Sequence, residues 1–401
     1  MLDVTKLVRD IEGRSEHVRE KGGRDLDAPV SLVVWNTTPA CNLTCEHCYF
    51  AACDERPPDE MSTEDCKEFV DTLAEIGVPG LVVSGGEPFV RDDLADIVGH
   101  AADRGIHVVG SSNGTFITPD RSRAVAEAGM RYVGVSLDGV GETHDRFRGM
   151  EGAFDRALSG LRNARAAGLN TGIRFTMTED TIDDLPDVVD LALEEEVDRL
   201  TVFHLIHVGR GTDIVDRDLS PERTREALDY LYERTKGIVE SAPEMRVITG
   251  GNTADAVYFY RKVAEEFPDR TDRAREILLG NRVGRRLVNV NHRGDVYPSM
   301  GMTNHTLGNV RERRLDEILA DSDLWSKLTE PAEYLEGRCG RCPYREVCGG
   351  NSRARAELVH GDLWAEDPQC YLTDEELGVE GSVDPTAPPA NRAPPVSPGE
   401  Q

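Results

Sequence analysis

From Ser31 to His207 the chain alternates short apolar runs with longer stretches whose apolar positions recur at helical spacing. The apolar runs predict strands over 31–35, 80–83, 106–111, 131–136, 171–177 and 200–206. The stretches between them predict helices over 63–76, 92–104, 120–128, 152–167 and 184–196, and a further helix over 221–240 follows the last strand. Pro-Asp and Thr-Glu-Asp openings mark helix starts, and Gly77, Gly105, Gly129 and Gly168 mark ends. Strand and helix in strict alternation point to a parallel α/β domain. Residues 212–285 read as helical and charged, broken mainly at Gly250-Gly251-Asn252. A β-type pattern resumes from Leu287 to Pro298 and at 307–310, and a helix from Leu315 to Leu328 follows. Before the strands, residues 1–28 hold one weakly periodic helix, Val4 to Arg19, and a Gly22-Gly23 break. The Pro-rich tail lacks the apolar residues of a core. The resulting divisions are an N-terminal segment (1–28), a core (29–240), a helical connection (241–286), a cysteine-rich unit (287–377) and a disordered tail (378–401).

Composition narrows the setting. A chain of 401 residues with 39% hydrophobic content can build two or three cores. No apolar run approaches the roughly 18 residues of a membrane span, and Met-Leu-Asp-Val-Thr-Lys lacks a signal-peptide layout. A cytoplasmic protein with no membrane partner is expected. The formal charge of −28, from 74 acidic and 46 basic residues, argues against nucleic-acid binding. Lysine occurs only at 6, 21, 67, 236, 262 and 327. A scattered acidic, lysine-poor surface fits a protein kept soluble in high salt, hence a halophilic setting; a basic partner is the competing reading.

The chemistry is concentrated in cysteines, seven of nine falling in two clusters. Cys41, Cys45 and Cys48 stand in a CxxxCxxC spacing directly after the first strand. Three thiolates this close in sequence can converge on one iron–sulfur cluster and leave a fourth iron without a protein ligand. With an aromatic ring, His47, before the last cysteine, the stretch resembles the signature of radical S-adenosylmethionine (SAM) enzymes. The resemblance implies a partial (β/α)6 barrel and a 4Fe-4S cluster whose open iron chelates SAM. An electron from a low-potential donor then splits SAM to a 5'-deoxyadenosyl radical. No side chain is assigned as catalytic beyond this cluster.

Barrel chemistry gathers at the C-terminal ends of strands. Ser84-Gly85-Gly86-Glu87-Pro88 follows the second strand and resembles the family's GGEP motif, which implies that Gly85, Gly86 and Glu87 meet the SAM amino group. After the third and fourth strands come Ser112-Asn113 and Ser136-Leu137-Asp138-Gly139. Ser112, Asn113 and Ser136 are candidates for SAM binding, turn chemistry being the alternative. Arg174 lies inside an otherwise apolar strand and needs a carboxylate partner, either that of SAM or a structural one. His204 and His207 end the sixth strand on opposite faces; for either, a satisfied core histidine is the commoner fate.

Cys339, Cys342, Cys348 and Cys370 form the second cluster. Four thiolates saturate a second, auxiliary 4Fe-4S cluster or a zinc ion. The unit resembles the SPASM auxiliary-cluster domain, although Ser299 stands where a cysteine is usual and no further trio follows, which leaves one auxiliary cluster. Cys53 and Cys66 read as small buried hydrophobes.

Longer strings resemble the tetrapyrrole-modifying branch of the family. Among them are Thr143-His-Asp-Arg-Phe-Arg148, His204 to Gly211, Cys348-Gly-Gly-Asn351 and Trp364-Ala-Glu-Asp-Pro-Gln-Cys370. This implies an oxidoreductase-type enzyme of heme biosynthesis that removes side chains from an iron tetrapyrrole (12,18-didecarboxysiroheme to Fe-coproporphyrin III), or a related step toward heme d1 or heme b. A SPASM-type peptide maturase is the other expectation. A polycarboxylate substrate needs cations in an acidic protein; Arg146, Arg148, Arg174 and Arg210 are the strand-end candidates, and Arg148 and Arg210 are assigned to the substrate.

Overall fold

The computed structural model describes residues 1–11, 29–50, 52–280 and 286–379. Its strands are β1 (Leu2–Asp3), β2 (Leu32–Asn36), β3 (Gly80–Ser84), β4 (His107–Ser112), β5 (Tyr132–Ser136), β6 (Asn170–Met177), β7 (Arg199–His204), β8 (Arg246–Gly250), β9 (Leu287–Val290), β10 (Asp295–Tyr297) and β11 (Gly308–Asn309). All of them join one sheet in the order β1-β8-β7-β6-β5-β4-β3-β2-β9-β10-β11. From β2 to β8 every neighbouring pair is parallel, and among the described strands β2 and β8 do not pair, so the barrel stays open.

Side chains on alternate positions explain the layering. Val133, Val135, Ile173, Phe175, Leu200 and Val202 are fully buried toward the surrounding helices. Tyr132, Ser136, Arg174 and Phe203 occupy the opposite, barrel-facing positions. Helices follow each strand as the periodicity predicts: Thr63–Glu75, Leu94–Asp103, Pro119–Glu127, Ala153–Ala166, Leu185–Glu194 and Pro221–Ser241. Ser62 caps the first of these in a reciprocal box with Asp65, and Thr118 and Ser220 cap two others.

The fold departs from the sequence expectation in three places. The barrel does not stop at 240: β8 adds a seventh parallel strand inside the stretch read as a helical connection. The N-terminal segment contributes β1, antiparallel to β8, and a helix only over Val4–Ile11; residues 12–28 lie outside the described residues. The cysteine-rich unit is not a separate sheet, because β9 pairs in parallel with β2 and carries the β10–β11 hairpin onward. Of the expected tail, 380–401 lies outside the described residues.

Candidate functional site

The cysteine loop leaves β2 and is docked onto the loop after β3. Gly86 N donates to Thr38 O at 2.7 Å and Glu87 N to Ala40 O at 2.8 Å. A Cβ on Gly86 would stand 2.3 Å from Ala40 O, and one on Gly85, whose φ is +139°, 2.4 Å from Thr38 O. Only glycine fits there. The close approach that the Gly-Gly pair allows is therefore made to the backbone leading into Cys41.

Glu87 is fully buried and its carboxylate is occupied by protein donors. Oε1 accepts from Phe89 N (3.0 Å) and Ser112 Oγ (2.8 Å), and Oε2 from Asn113 N (2.7 Å). The bonds from Ser112 and Asn113 fix the loop after β4 to this carboxylate. Asn113 in turn reaches the cysteines: its Nδ2 lies 3.6 Å from Cys41 Sγ and 3.1 Å from Asn42 Oδ1. Burial, the largest influence, pushes the Glu87 carboxyl up to about 7 against those hydrogen bonds.

On the other side of the loop Arg148 is buried, forms an ion pair with fully buried Asp138, and directs Nη1 at Cys45 Sγ from 3.7 Å. Arg210 donates from Nε to Cys45 O (2.9 Å) and from Nη1 to Ala52 O (3.0 Å), and its backbone N–H reaches Cys48 O (3.0 Å). Both arginines expected at the substrate thus brace the cysteine loop. His47 stacks on Phe147 with centroids 4.4 Å apart, and burial lowers its pKa to about 4, so the ring is neutral. Burial also pushes the Cys41 thiol up to about 12.

Ser136 ends β5 directly opposite Arg174. Arg174 lies over the Phe203 ring at 4.9 Å, and no carboxylate among the described residues forms an ion pair with it. The structural partner of the two alternatives is thereby absent among those residues. The two histidines are both satisfied: His204 by Asp255 at 3.0 Å, where Tyr371 also donates, and His207 by Asp218 at 2.8 Å. Cys66 is buried as expected. Cys53 is exposed, because its backbone pairs with Pro39 and Cys41 at the rim of the loop.

Cys339, Cys342, Cys348 and Cys370 line one small cavity with the apolar side chains of Ala254, Val257 and Leu377. Arg338 closes it, hydrogen-bonded to Asp374 at 2.7 Å. Among the described residues no three metal-ligating side chains converge on a single-ion point. The residues fit iron–sulfur groups at both places. Four thiols share one dry-walled cavity, and around the first trio His47 Nδ1, Arg148 Nε and Arg210 Nη2 are buried without hydrogen-bond partners. The sequence reading missed Glu87 as an organiser and Thr253, whose hydroxyl lies 3.3 Å from Cys348 Sγ. A polar residue before a helix reads only as a cap.

Comparison with known proteins agrees with this arrangement. Residues 35–192 match the radical SAM superfamily and residues 282–343 an iron–sulfur cluster-binding (SPASM) domain. The chain is 42% identical to Fe-coproporphyrin III synthase of Methanosarcina barkeri, over 86% of this chain and 89% of that protein. It is 38% identical to pre-heme d1 synthase of Dinoroseobacter shibae, over 89% and 90%. In fold it resembles SAM-bound SuiB of Streptococcus suis, with a TM-score of 0.67 at 16% identity over 86% of this chain and 77% of that one. The chain belongs to the radical SAM superfamily, with the 4Fe-4S cluster and SAM of its barrel and the iron–sulfur cluster-binding SPASM domain that follows it.

Proposed function

We propose that this chain is a radical SAM enzyme of heme biosynthesis that removes side chains from an iron tetrapyrrole, converting 12,18-didecarboxysiroheme to Fe-coproporphyrin III. The observation that carries the reading is 42% identity to Fe-coproporphyrin III synthase across nearly the whole of both chains. The step toward heme d1 is the second reading, supported by 38% identity over a similar span.

Cys41, Cys45 and Cys48 hold the SAM-binding cluster, and Cys339, Cys342, Cys348 and Cys370 the auxiliary one. When bound, the first cluster and SAM supply the one-electron chemistry that starts the reaction, fed by a low-potential donor. The chain's own groups prepare the place for it. Gly85 and Gly86 seat the cysteine loop, and Glu87 fixes Ser112 and Asn113 at the rim. Ser136 and Arg174 face the barrel interior, with the Arg174 guanidinium available to a carboxylate. Both arginines assigned to the substrate are engaged by the protein, Arg148 by Asp138 and Cys45 and Arg210 by Cys45 O and Ala52 O, and each keeps one nitrogen, Arg148 Nε and Arg210 Nη2, without a hydrogen-bond partner. Substrate contact is assigned to both, beside their hold on the cysteine loop.

The test is anaerobic reconstitution followed by incubation with didecarboxysiroheme, SAM and a reductant. Mass spectrometry should show Fe-coproporphyrin III together with 5'-deoxyadenosine, and Cys45→Ala should give neither. An intact tetrapyrrole with full SAM cleavage would reject the substrate and retain the enzyme class. A product of a different mass would move the chain to another tetrapyrrole step.

A further inference from the structure

Two Gly-Gly-Asn strings meet where the barrel touches the auxiliary unit. Gly250-Gly251-Asn252 ends β8, and Gly349-Gly350-Asn351 follows the cysteine at 348. Asn351 Nδ2 donates to Asn252 Oδ1 at 2.7 Å, Thr253 N donates to Asn351 Oδ1 at 2.7 Å, and Asn252 Nδ2 donates to Gln369 O, the residue before Cys370. Gly349, Gly350 and Asn351 all have positive φ, of 70°, 79° and 62°. For Asn351 this backbone is unfavourable and persists because Asn252 and Thr253 hold its side chain from both ends. The turn so formed presents Cys348 to Thr253.

Thr253 occupies the N-cap position of the helix Ala254–Glu266, yet its side chain makes no capping hydrogen bond. Its hydroxyl instead lies 2.8 Å from Cys348 O and 3.3 Å from Cys348 Sγ. A cysteine that ligates iron is a thiolate and can only accept, so the hydroxyl must be the donor of any bond to that sulfur. Cys348 Sγ, negative once it ligates iron, is also the strongest acceptor of the three the hydroxyl faces, the third being Asn351 Oδ1 at 3.3 Å. Donors to ligating sulfur stabilise the more negative, reduced state of a cluster and raise its potential.

We propose that Thr253 is a positioning residue of the auxiliary cluster: its hydroxyl donates to the Cys348 thiolate, and through this one bond the barrel sets the cluster's reduction potential. The inference rests on the reading that Cys339, Cys342, Cys348 and Cys370 hold iron.

The experiment is a dye-mediated redox titration of the full, reconstituted chain followed by electron paramagnetic resonance. The auxiliary signal is separated from the barrel cluster by the change that added SAM makes in the latter. Wild type should hold about eight irons per chain; about four would defeat the cluster reading itself, independently of the hydroxyl. Thr253→Val with full iron should titrate lower. At the potential where the wild-type auxiliary cluster is half reduced, its reduced-to-oxidised ratio should fall several-fold. Thr253→Ser should match wild type, and the barrel cluster should not move in either. An unchanged auxiliary potential in Thr253→Val overturns the proposal, as does an equal shift of both clusters. Should Thr253→Val not retain auxiliary iron, Thr253→Ala takes its place in the titration. Loss of that iron from both, with retention in Thr253→Ser, would overturn the tuning role in favour of one in assembly.

Discussion

Glu87 illustrates how a motif residue can organise the loops around it. Its buried carboxylate binds the chain after β4 to the loop after β3, so its ionisation is coupled to folding. A carboxyl held at about 7 when folded, against its ordinary value of 4.5, binds more protons in the native protein than in the unfolded one. Its contribution is complete below the unfolded value and is lost as pH rises toward 7, by about 3 kcal/mol in all. Thermal melts from about pH 5 to about pH 7 should therefore show a larger loss of stability with rising pH in wild type than in Glu87→Gln. Parallel curves would contradict the coupling. At Arg148 the opposite logic holds. Removing the guanidinium strands Asp138, fully buried, without its cation. Arg148→Ala should lose about 3–5 kcal/mol in denaturant unfolding, the usual cost of breaking a buried pair. A loss under about 1 kcal/mol, as for an exposed pair, would mean that Asp138 finds another partner.

At the scale of elements, the cysteine-rich unit is fastened to the barrel by β9 on β2, by the Asn252–Asn351 contact and by its last helix. Glu376, in the helix Asp374–Leu377, receives both ends of Arg225 from Pro221–Ser241, at 2.7 and 2.6 Å. The Arg225 hydrogen bonds hold the Glu376 carboxyl down at about 2. A lowered pKa contributes stability that is present above the unfolded value near 4.5 and is lost as pH falls toward 2. Since the pair is part-exposed, with 25% of the Arg225 side chain and 22% of the Glu376 side chain open to solvent, the loss is nearer about 1 kcal/mol than the shift alone implies. Glu376→Gln should lower the melting temperature by a few degrees at neutral pH and reduce the acid sensitivity; an unchanged melt would show the clasp to be idle. Six strand–helix units were legible because each strand is built on a short apolar run and three of the helices open on a side-chain cap, Ser62, Thr118 and Ser220. β8 was not legible: Val247 and Ile248 are its only large apolar residues, between Arg246 and Thr249. The pairing of β9 with β2 joins residues some 250 apart and leaves no local trace. Both cysteine sets were legible from spacing alone. The work of Arg148, Arg210 and Thr253 was not, since each acts on a backbone or sulfur atom brought near only by the fold.

For the whole molecule the governing quantity is a net charge of −28. Buried pairs such as Arg355–Asp367 sit beyond the reach of salt, but the acidic surplus is spread over the surface. Its self-repulsion opposes compaction until counter-ions shorten its range, from a Debye length of about 10 Å at 0.1 M to about 3 Å at 1 M. The melting temperature should accordingly rise with KCl over that interval, and a fall would refute the reading of the charge as an adaptation to salt. The same field bears on the proposed substrate, a polycarboxylate approaching a protein of its own sign. Long-range repulsion slows encounter, while the close-range contact with Arg210 and Arg174 is screened far less. Added salt should thus increase the association rate of didecarboxysiroheme, the reverse of ordinary steering, and leave the dissociation rate less affected. Stopped-flow absorbance at several KCl concentrations measures both. An association rate that falls as salt rises would mean that the mouth of the barrel is locally cationic and outweighs the surface around it.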